Sequence, residues 1–460
     1  MITRTVKSRR QPPRRSLTLA TALLAIACSD DGRPAGQAEL GDTGAGTGTE
    51  TADHGQEHGD GDGDGPRLDV SSVGDFGGNI DCGSMGGGQA GTEAFSIIWI
   101  ANSTEGTVSK VDTATATELA RYATGPGPGN PDPSRTSVNL FGDVAIANRS
   151  GSVIKIAADI SDCVDLDHDG VISTSQGPDD VLPWGADECV LWHVDVGFDT
   201  GVAGNTGGPR AIAWDGGEQG PDGCPKDPKL WVGWRTQPDT AIAIRRLDGQ
   251  TGESLGEVAV TDWNQNWGHG TYGGATDKNR DFWGLGTNGT LVRISAQTLA
   301  VTRWDNPEGG RVVYGIALDQ HGDPWLAGWD GTLWRFNVAA QIWEERGQIG
   351  EPSRMRGLAI DGDGHAWIAG NQSCGLIRYD TTTGQTVAAN IELPGCVEPV
   401  GVSIDSGGYV WVVDRGASVA YKVDPDTQTV IATVMGLVDP YTYSDMTGAR
   451  LDVVVNPGIG

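Results

Sequence analysis

The chain has 460 residues, 71 of them Gly, and its 61 Asp plus Glu against 32 Lys plus Arg give a formal charge of −29. A chain of this length with 37% apolar residues can bury a large core. The Gly content, the 16 Trp and the lack of any long 3.6-residue apolar period exclude a helix bundle, and the glycines lack the three-residue period of collagen. The acidity excludes nucleic acid as a partner, because phosphate is repelled unless a basic patch breaks the field, and none lies beyond the first fifteen residues.

Those fifteen residues read as an address. Arg4, Lys7, Arg9, Arg10, Arg14 and Arg15 form a basic n-region, and Leu17 to Ala27 is an apolar run suited to a signal peptide and too short to span a bilayer. The run ends in Ala25-Ile26-Ala27-Cys28, which resembles the lipobox of bacterial lipoproteins and makes Cys28 the expected lipidation site. The expected domain plan is therefore a signal peptide over 1–27, a lipidated Cys28 with an acidic Gly-rich tether over 28–70, and a folded domain over 71–460. The tether, with its run Gly59-Asp60-Gly61-Asp62-Gly63-Asp64-Gly65, has almost nothing to bury and cannot offset the entropy of ordering. The expected location is the outer membrane or cell surface, with the membrane held through the lipid anchor.

From Phe95 onward one pattern recurs. An apolar segment closes on Asp, a Gly turn follows, then a Trp-centred strand, another turn, and a strand ending near Asp and Thr-Gly. Gly315-Ile316-Ala317-Leu318-Asp319 precedes Trp325, Gly357-Leu358-Ala359-Ile360-Asp361 precedes Trp367, and Gly401-Val402-Ser403-Ile404-Asp405 precedes Trp411. Asp277 and Trp283 repeat the spacing, and short strands at a period of about 42 to 44 residues predict an all-β propeller. Earlier copies are eroded. Asp215 leads to Trp231 after an insertion, Asn139 leads to Ala145, and Trp99 has no Gly-apolar-Asp strand before it. The C-terminus carries a surplus segment, Pro440 to Met446, so the ring is expected to have seven blades, the first borrowing its innermost strand from residues near 440–456. The Trp column is expected to pack between blades.

These repeats, with Leu376-Ile377-Arg378-Tyr379-Asp380 and Ala420-Tyr421-Lys422-Val423-Asp424-Pro425, resemble those of the virginiamycin B lyase and streptogramin lyase family of seven-bladed propellers, with NHL-type propellers close behind. The resemblance implies, as an alternative function, a metal-dependent carbon–oxygen lyase that opens a macrocyclic ester with His and Glu side chains near magnesium at the channel mouth. The family's repeats read Trp-Phe-Thr-Glu after the Gly turn, whereas this chain has Trp325-Leu326-Ala327-Gly328, Trp367-Ile368-Ala369-Gly370 and Trp411-Val412-Val413-Asp414. The residue five before each repeat Asp starts an innermost strand, where strands converge at the axis. That column reads Arg210, Tyr272, Tyr314, Arg356 and Val400, with Ser134 and Tyr441 as eroded equivalents, and His269 is the nearest imidazole. Two Arg and two Tyr, namely Arg210, Tyr272, Tyr314 and Arg356, suit an anionic or aromatic ligand. The primary expectation is thus a binding module that takes a small molecule, glycan or protein at the mouth.

The sharpest metal signal is Asp165-Leu166-Asp167-His168-Asp169-Gly170-Val171. Oxygens from Asp165, Asp167 and Asp169, a Gly at position 6 and the Val171 carbonyl reproduce an EF-hand-type loop for a structural calcium, with Gln176 in place of the usual Glu at position 12. Asp179, Asp180 or Asp187 is expected to complete the sphere. The loop lies in an insertion over 159–189 between two strands of one blade. Export permits disulfides, and the blade register pairs Cys163 with Cys189, Cys374 with Cys396 and Cys82 with Cys224.

Overall fold

Each copy of the repeat folds into one antiparallel sheet, and seven such sheets form the ring. The computed structural model describes residues 96–451, apart from 128–130, 198–206, 222–223, 237–240, 264–268, 307–311 and 350–353; all belong to one unit, Asp69–Gly460. Six blades have four strands, labelled a to d from the axis outward, and the sheet of Ile97–Asn102, Thr107–Asp112 and Thr117–Ala123 supplies strands b, c and d of blade 1. Strands a of blades 2 to 7 are Pro133–Val138, Ala211–Trp214, Gly273–Thr276, Val313–Leu318, Met355–Ile360 and Pro399–Ile404, and each touches the strand a of the next blade.

The C-terminal segment supplies the missing strand a. Pro440 bridges Asn102, the Tyr441 N–H donates to the Ala101 carbonyl at 3.2 Å, and the Trp99 N–H donates to Met446 at 2.9 Å. It pairs through this bridge and flanking hydrogen bonds instead of a continuous ladder, and the chain turns helical at 449–451, so the closing strand is shorter than 440–456. Closure removes the open edge that Ile97–Asn102 would otherwise present.

The repeat consensus follows from this geometry. Strands a converge so closely that a Cβ on Gly315 would lie 2.4 Å from the Arg356 carbonyl oxygen, and one on Gly401 only 1.9 Å from that of Thr442. The Asp closing strand a accepts the indole N–H of the Trp six residues later: Asp277 from Trp283 at 3.0 Å, Asp319 from Trp325 at 2.9 Å, and Asp361 and Asp405 from Trp367 and Trp411 at 2.8 Å. Its other oxygen caps the a–b turn, as Asp405 Oδ1 does for the amides of Gly407 and Tyr409. A cation on strand c completes the unit, with Arg293, Arg335, Arg378 and Lys422 lying over the Trp rings at 4.8 to 5.9 Å. The six Trp of the column are at most 1% exposed, as expected for inter-blade core. Trp99 and Trp231 have no such Asp and donate instead to carbonyls of the following blade, Gly142 and Arg280.

Antiparallel strands send a–b and c–d connections to one face and b–c and d–a connections to the other. The 159–189 insertion is a c–d connection of blade 2, and the ribbon of Glu218–Gln219 with Pro225–Lys226 is an a–b connection of blade 3, so both lie opposite the axial ring.

Candidate functional site

Arg210, Tyr272, Tyr314 and Arg356 do converge at the axis. They are joined there by Tyr441 and Tyr443, which the C-terminal segment carries down the channel. The hydroxyls of Tyr272 and Tyr314 lie 2.9 and 3.2 Å from that of Tyr441, and Arg356 Nη1 donates to the Tyr443 hydroxyl at 3.2 Å. The ring of Tyr443 meets Tyr441 and Tyr314 edge-on at 4.8 and 5.2 Å, and Tyr272 meets Tyr314 at 4.6 Å. All six side chains are buried, so this set forms the floor of the mouth.

A further member is Arg135, 1% exposed, which the axial column did not include. Its guanidinium lies 4.0 Å from the Tyr443 ring centre, 4.7 Å from Tyr272 and 5.8 Å from Tyr441. One of its nitrogens donates to the Ser134 carbonyl at 2.9 Å, Nη2 is buried without an acceptor, and among the described residues no carboxylate pairs with it. A sequence signal existed. Arg135 occupies the column that reads Ala211, Gly273, Gly315, Gly357 and Gly401 in the other blades, and a long cation in a column of small residues has to extend into the axis. Ser134, the expected blade 2 member, is buried beside it at a register shift.

The electrostatics differ from phenol to phenol. Burial raises Tyr272, Tyr314 and Tyr443. Burial also acts on Tyr441, but the Arg135 charge and the hydroxyls of Tyr272, Tyr314 and Tyr443 outweigh it and bring this phenol down to about 8. Burial pushes Arg210 down to about 10. Arg356 is buried too, yet its tyrosine neighbours and Glu398, 2.9 Å away, hold it above the usual range. Of the four phenols, only Tyr441 is thus shifted toward its anionic form.

Around the floor stands a rim from the d–a and b–c connections. Exposed Arg354 and partly buried Trp329 meet at 5.1 Å, Trp329 packs on Tyr314 at 5.1 Å, and Arg149 and Arg415 each lie 5.2 Å from the Tyr441 ring. Arg149 pairs with Asp132, and Arg415 with Asp439 and Glu398. His269 packs on Tyr272 at 5.0 Å. At the opposite end of the channel a cavity is bounded by Ser137, Trp214, Thr276, Asp445, Arg450 and Leu451.

In the insertion, the Gly170 N–H donates to Asp165 Oδ2 at 3.0 Å, the Asp169 N–H to Asp167 at 3.1 Å and the Val171 N–H to Asp169 at 2.8 Å. Gln176 turns into its own bend, its side chain donating to Thr174 and its amide to Asp180. Glu188 comes to the loop instead, with oxygens of Asp165, Asp167 and Glu188 all within 4.8 Å of one another. Amides of Ser173 and Leu166, at 2.7 and 2.6 Å, hold its carboxylate below the usual range. Loop spacing does not point to Glu188, because it lies 23 residues after Asp165. Of the remaining candidates, Asp187 caps Thr174, Ser175 and Cys189.

Disulfides join Cys163 to Cys189 and Cys374 to Cys396, with Cα atoms 4.3 and 5.7 Å apart. Cys224 is disulfide-bonded. Cys82, the partner expected for it, lies outside the described residues, as do Cys28, the signal segment and the tether.

No protein-family model matches the chain, and no curated protein matches it. Among solved structures it is similar to virginiamycin B lyase from Staphylococcus aureus, at 16% identity over 68% of this chain and 88% of that one, with a TM-score of 0.45. It is similar also to AztD of Citrobacter koseri, at 12% identity over 76% and 96%, TM-score 0.46. A functionally unknown protein from Desulfotomaculum acetoxidans DSM 771 matches at 8% identity over 75% of this chain and 98% of its own, TM-score 0.51. At that identity the likeness is one of fold.

Proposed function

We propose that this protein is an exported, lipid-anchored β-propeller that serves as a binding module on the cell envelope and takes an anionic or aromatic ligand at its axial mouth. The observation that carries the reading is the convergence of Arg135, Arg210 and Arg356 with Tyr272 and Tyr314 in a chain of formal charge −29. Planar donors and aromatic faces suit a carboxylate or an electron-rich ring, while the acidic surroundings discriminate against polyanions. The two disulfides support an oxidising compartment, and Cys28 supplies the anchor. The test screens small carboxylates, aromatic acids and oligosaccharides against the mature protein, Arg354→Ala at the exposed rim, and Arg210→Ala/Arg356→Ala in the floor. A ligand of this site loses affinity with Arg354→Ala, whose exposure keeps folding out of the result. Equal binding by all three proteins puts the site elsewhere, and magnesium-dependent opening of a cyclic ester by the wild type replaces this reading with the lyase.

The insertion carries a structural calcium in this proposal, held by Asp165, Asp167, Asp169 and the Val171 carbonyl, with Glu188 in the role expected of Gln176. Calorimetry on the mature protein is expected to show calcium uptake that Asp165→Ala/Asp167→Ala abolishes and Glu188→Gln weakens. Uptake unchanged by the double substitution overturns the assignment.

A further inference from the structure

Apolar side chains exposed to solvent are unevenly spread over the ring. Of the 14 large ones among the described residues, six sit singly on outer strands, one for each blade except blade 2: Leu119, Leu255, Val301, Ile342, Val387 and Ile431. Single exposed residues of this kind are ordinary surface. Another six fall within the 159–189 insertion: Ile160, Val164, Leu166, Val171, Val181 and Trp184, between 37% and 65% exposed. The same segment has nine carboxylates and no Lys or Arg.

This segment is held firmly although it contains little regular structure. The Cys163–Cys189 disulfide closes it, the Val164 N–H donates to Glu188 at 3.0 Å, and the Glu188 N–H donates to Ser173 at 2.9 Å. Blade 1 grips it from the side, where the Arg121 N–H donates to Ser175 Oγ at 2.9 Å, and Lys110 Nζ donates at 2.5 Å to the carbonyl of Ala158, the residue just before the segment. The apolar groups are therefore presented by an ordered platform, so a partner that buries them loses little to further ordering of this chain.

We propose that the insertion is an interaction surface for a cationic amphipathic polypeptide segment of a partner protein. Apolar groups among carboxylates complement a segment that carries Leu or Ile between Lys and Arg. An anionic lipid surface is repelled by nine carboxylates, and a second copy of so acidic a chain meets the same repulsion.

The test uses fluorescence anisotropy with an amphipathic Leu/Lys peptide of about 18 residues and a Ser/Lys peptide of equal charge. It compares the wild type, Ile160→Ser/Val164→Ser/Val181→Ser, which leaves the calcium-type loop untouched, and Leu255→Ser/Ile342→Ser/Ile431→Ser on the outer strands. At near-physiological salt the wild type is expected to bind the Leu/Lys peptide ~10-fold or more tightly than the Ser/Lys peptide. The insertion variant is expected to bind both alike, and the outer-strand variant is expected to behave as wild type. Equal binding of the two peptides by the wild type, undiminished discrimination in the insertion variant, or equal loss in the outer-strand variant overturns the proposal. Self-association of the wild type that the insertion variant abolishes overturns it in favour of a contact between copies.

Discussion

At the residue scale the fold rests on a repeated trio of Asp, Trp and a cation, in which a largely buried carboxylate gathers the indole N–H and the turn amides. Asp405, 3% exposed, accepts from the Trp411 indole and two turn amides and has Lys422 Nζ at 3.7 Å. Asp405→Ala leaves these donors without an acceptor and is expected to cost ~2–5 kcal/mol in denaturant unfolding, whereas Asp363→Ala on an exposed turn stays within ~0.5 kcal/mol. Equal midpoints for the two variants count against the trio as a structural unit. Tyr441 sets a different prediction. Its phenol is lowered to about 8 from 10, so its contribution to stability is fully present above about 10, declines across the window between, and is lost as pH falls through about 8. Absorbance of the native protein near 295 nm should show one phenol ionising near pH 8, and Tyr441→Phe should remove that step; a native titration that starts only near pH 10 refutes the assignment. The Trp and Asp columns were legible because their spacing is constant. Arg135 escapes the axial column because it stands one residue beyond it, where the blade 2 register shifts.

At the element scale, the innermost strands are shaped by how close they lie to one another. A Cβ at position 401 would sit 1.9 Å from the Thr442 carbonyl oxygen, whereas one at position 362, on a turn of blade 6, meets nothing within 4 Å. Gly401→Ala should therefore destabilise by ~3 kcal/mol or more and Gly362→Ala by under ~0.5 kcal/mol, as measured by thermal or chemical unfolding. Comparable losses at both positions would mean that the backbone at 401 yields, and that close approach does not explain the Gly column. The outer strands obey a looser rule. Strand d of blade 7, Thr429–Val434, alternates exposed with partly buried residues over most of its length, as a strand with one free edge and one covered face should. The blades are countable from the constant Asp-to-Trp spacing and the Trp period, not from these outer strands.

For the whole molecule, closure depends on a segment that is far from its blade in sequence. Pro440 to Met446 covers the edge of Ile97–Asn102 and fills the axis with Tyr441 and Tyr443. Truncation after Val438 removes both, so the protein is expected to lose cooperative unfolding and to aggregate through the opened edge of blade 1. A truncated chain that stays monomeric with an unchanged melting midpoint would show that closure contributes nothing. The same segment changes the nature of the mouth. The sequence column implies a shallow ring of Arg and Tyr facing solvent, and the structure puts these residues beneath a rim of Arg149, Trp329, Arg354 and Arg415.

What the sequence determined by itself was everything carried by local periodicity: the all-β class, seven blades, the buried Trp column, the face on which each insertion emerges, and the bridges Cys163–Cys189 and Cys374–Cys396. Each depends on residues within one repeat or on the alternation of strand direction, so spacing alone specifies it. Only the tertiary structure decided that Arg135 and Tyr443 join the axial set and what stands beside Asp165. Arg135 meets Tyr441 and Tyr443 more than 300 residues away, and Glu188 reaches the loop through a turn closed by a disulfide. Contacts of that kind are set by the closing of the ring and the path of an irregular insertion, and no period in the chain records them.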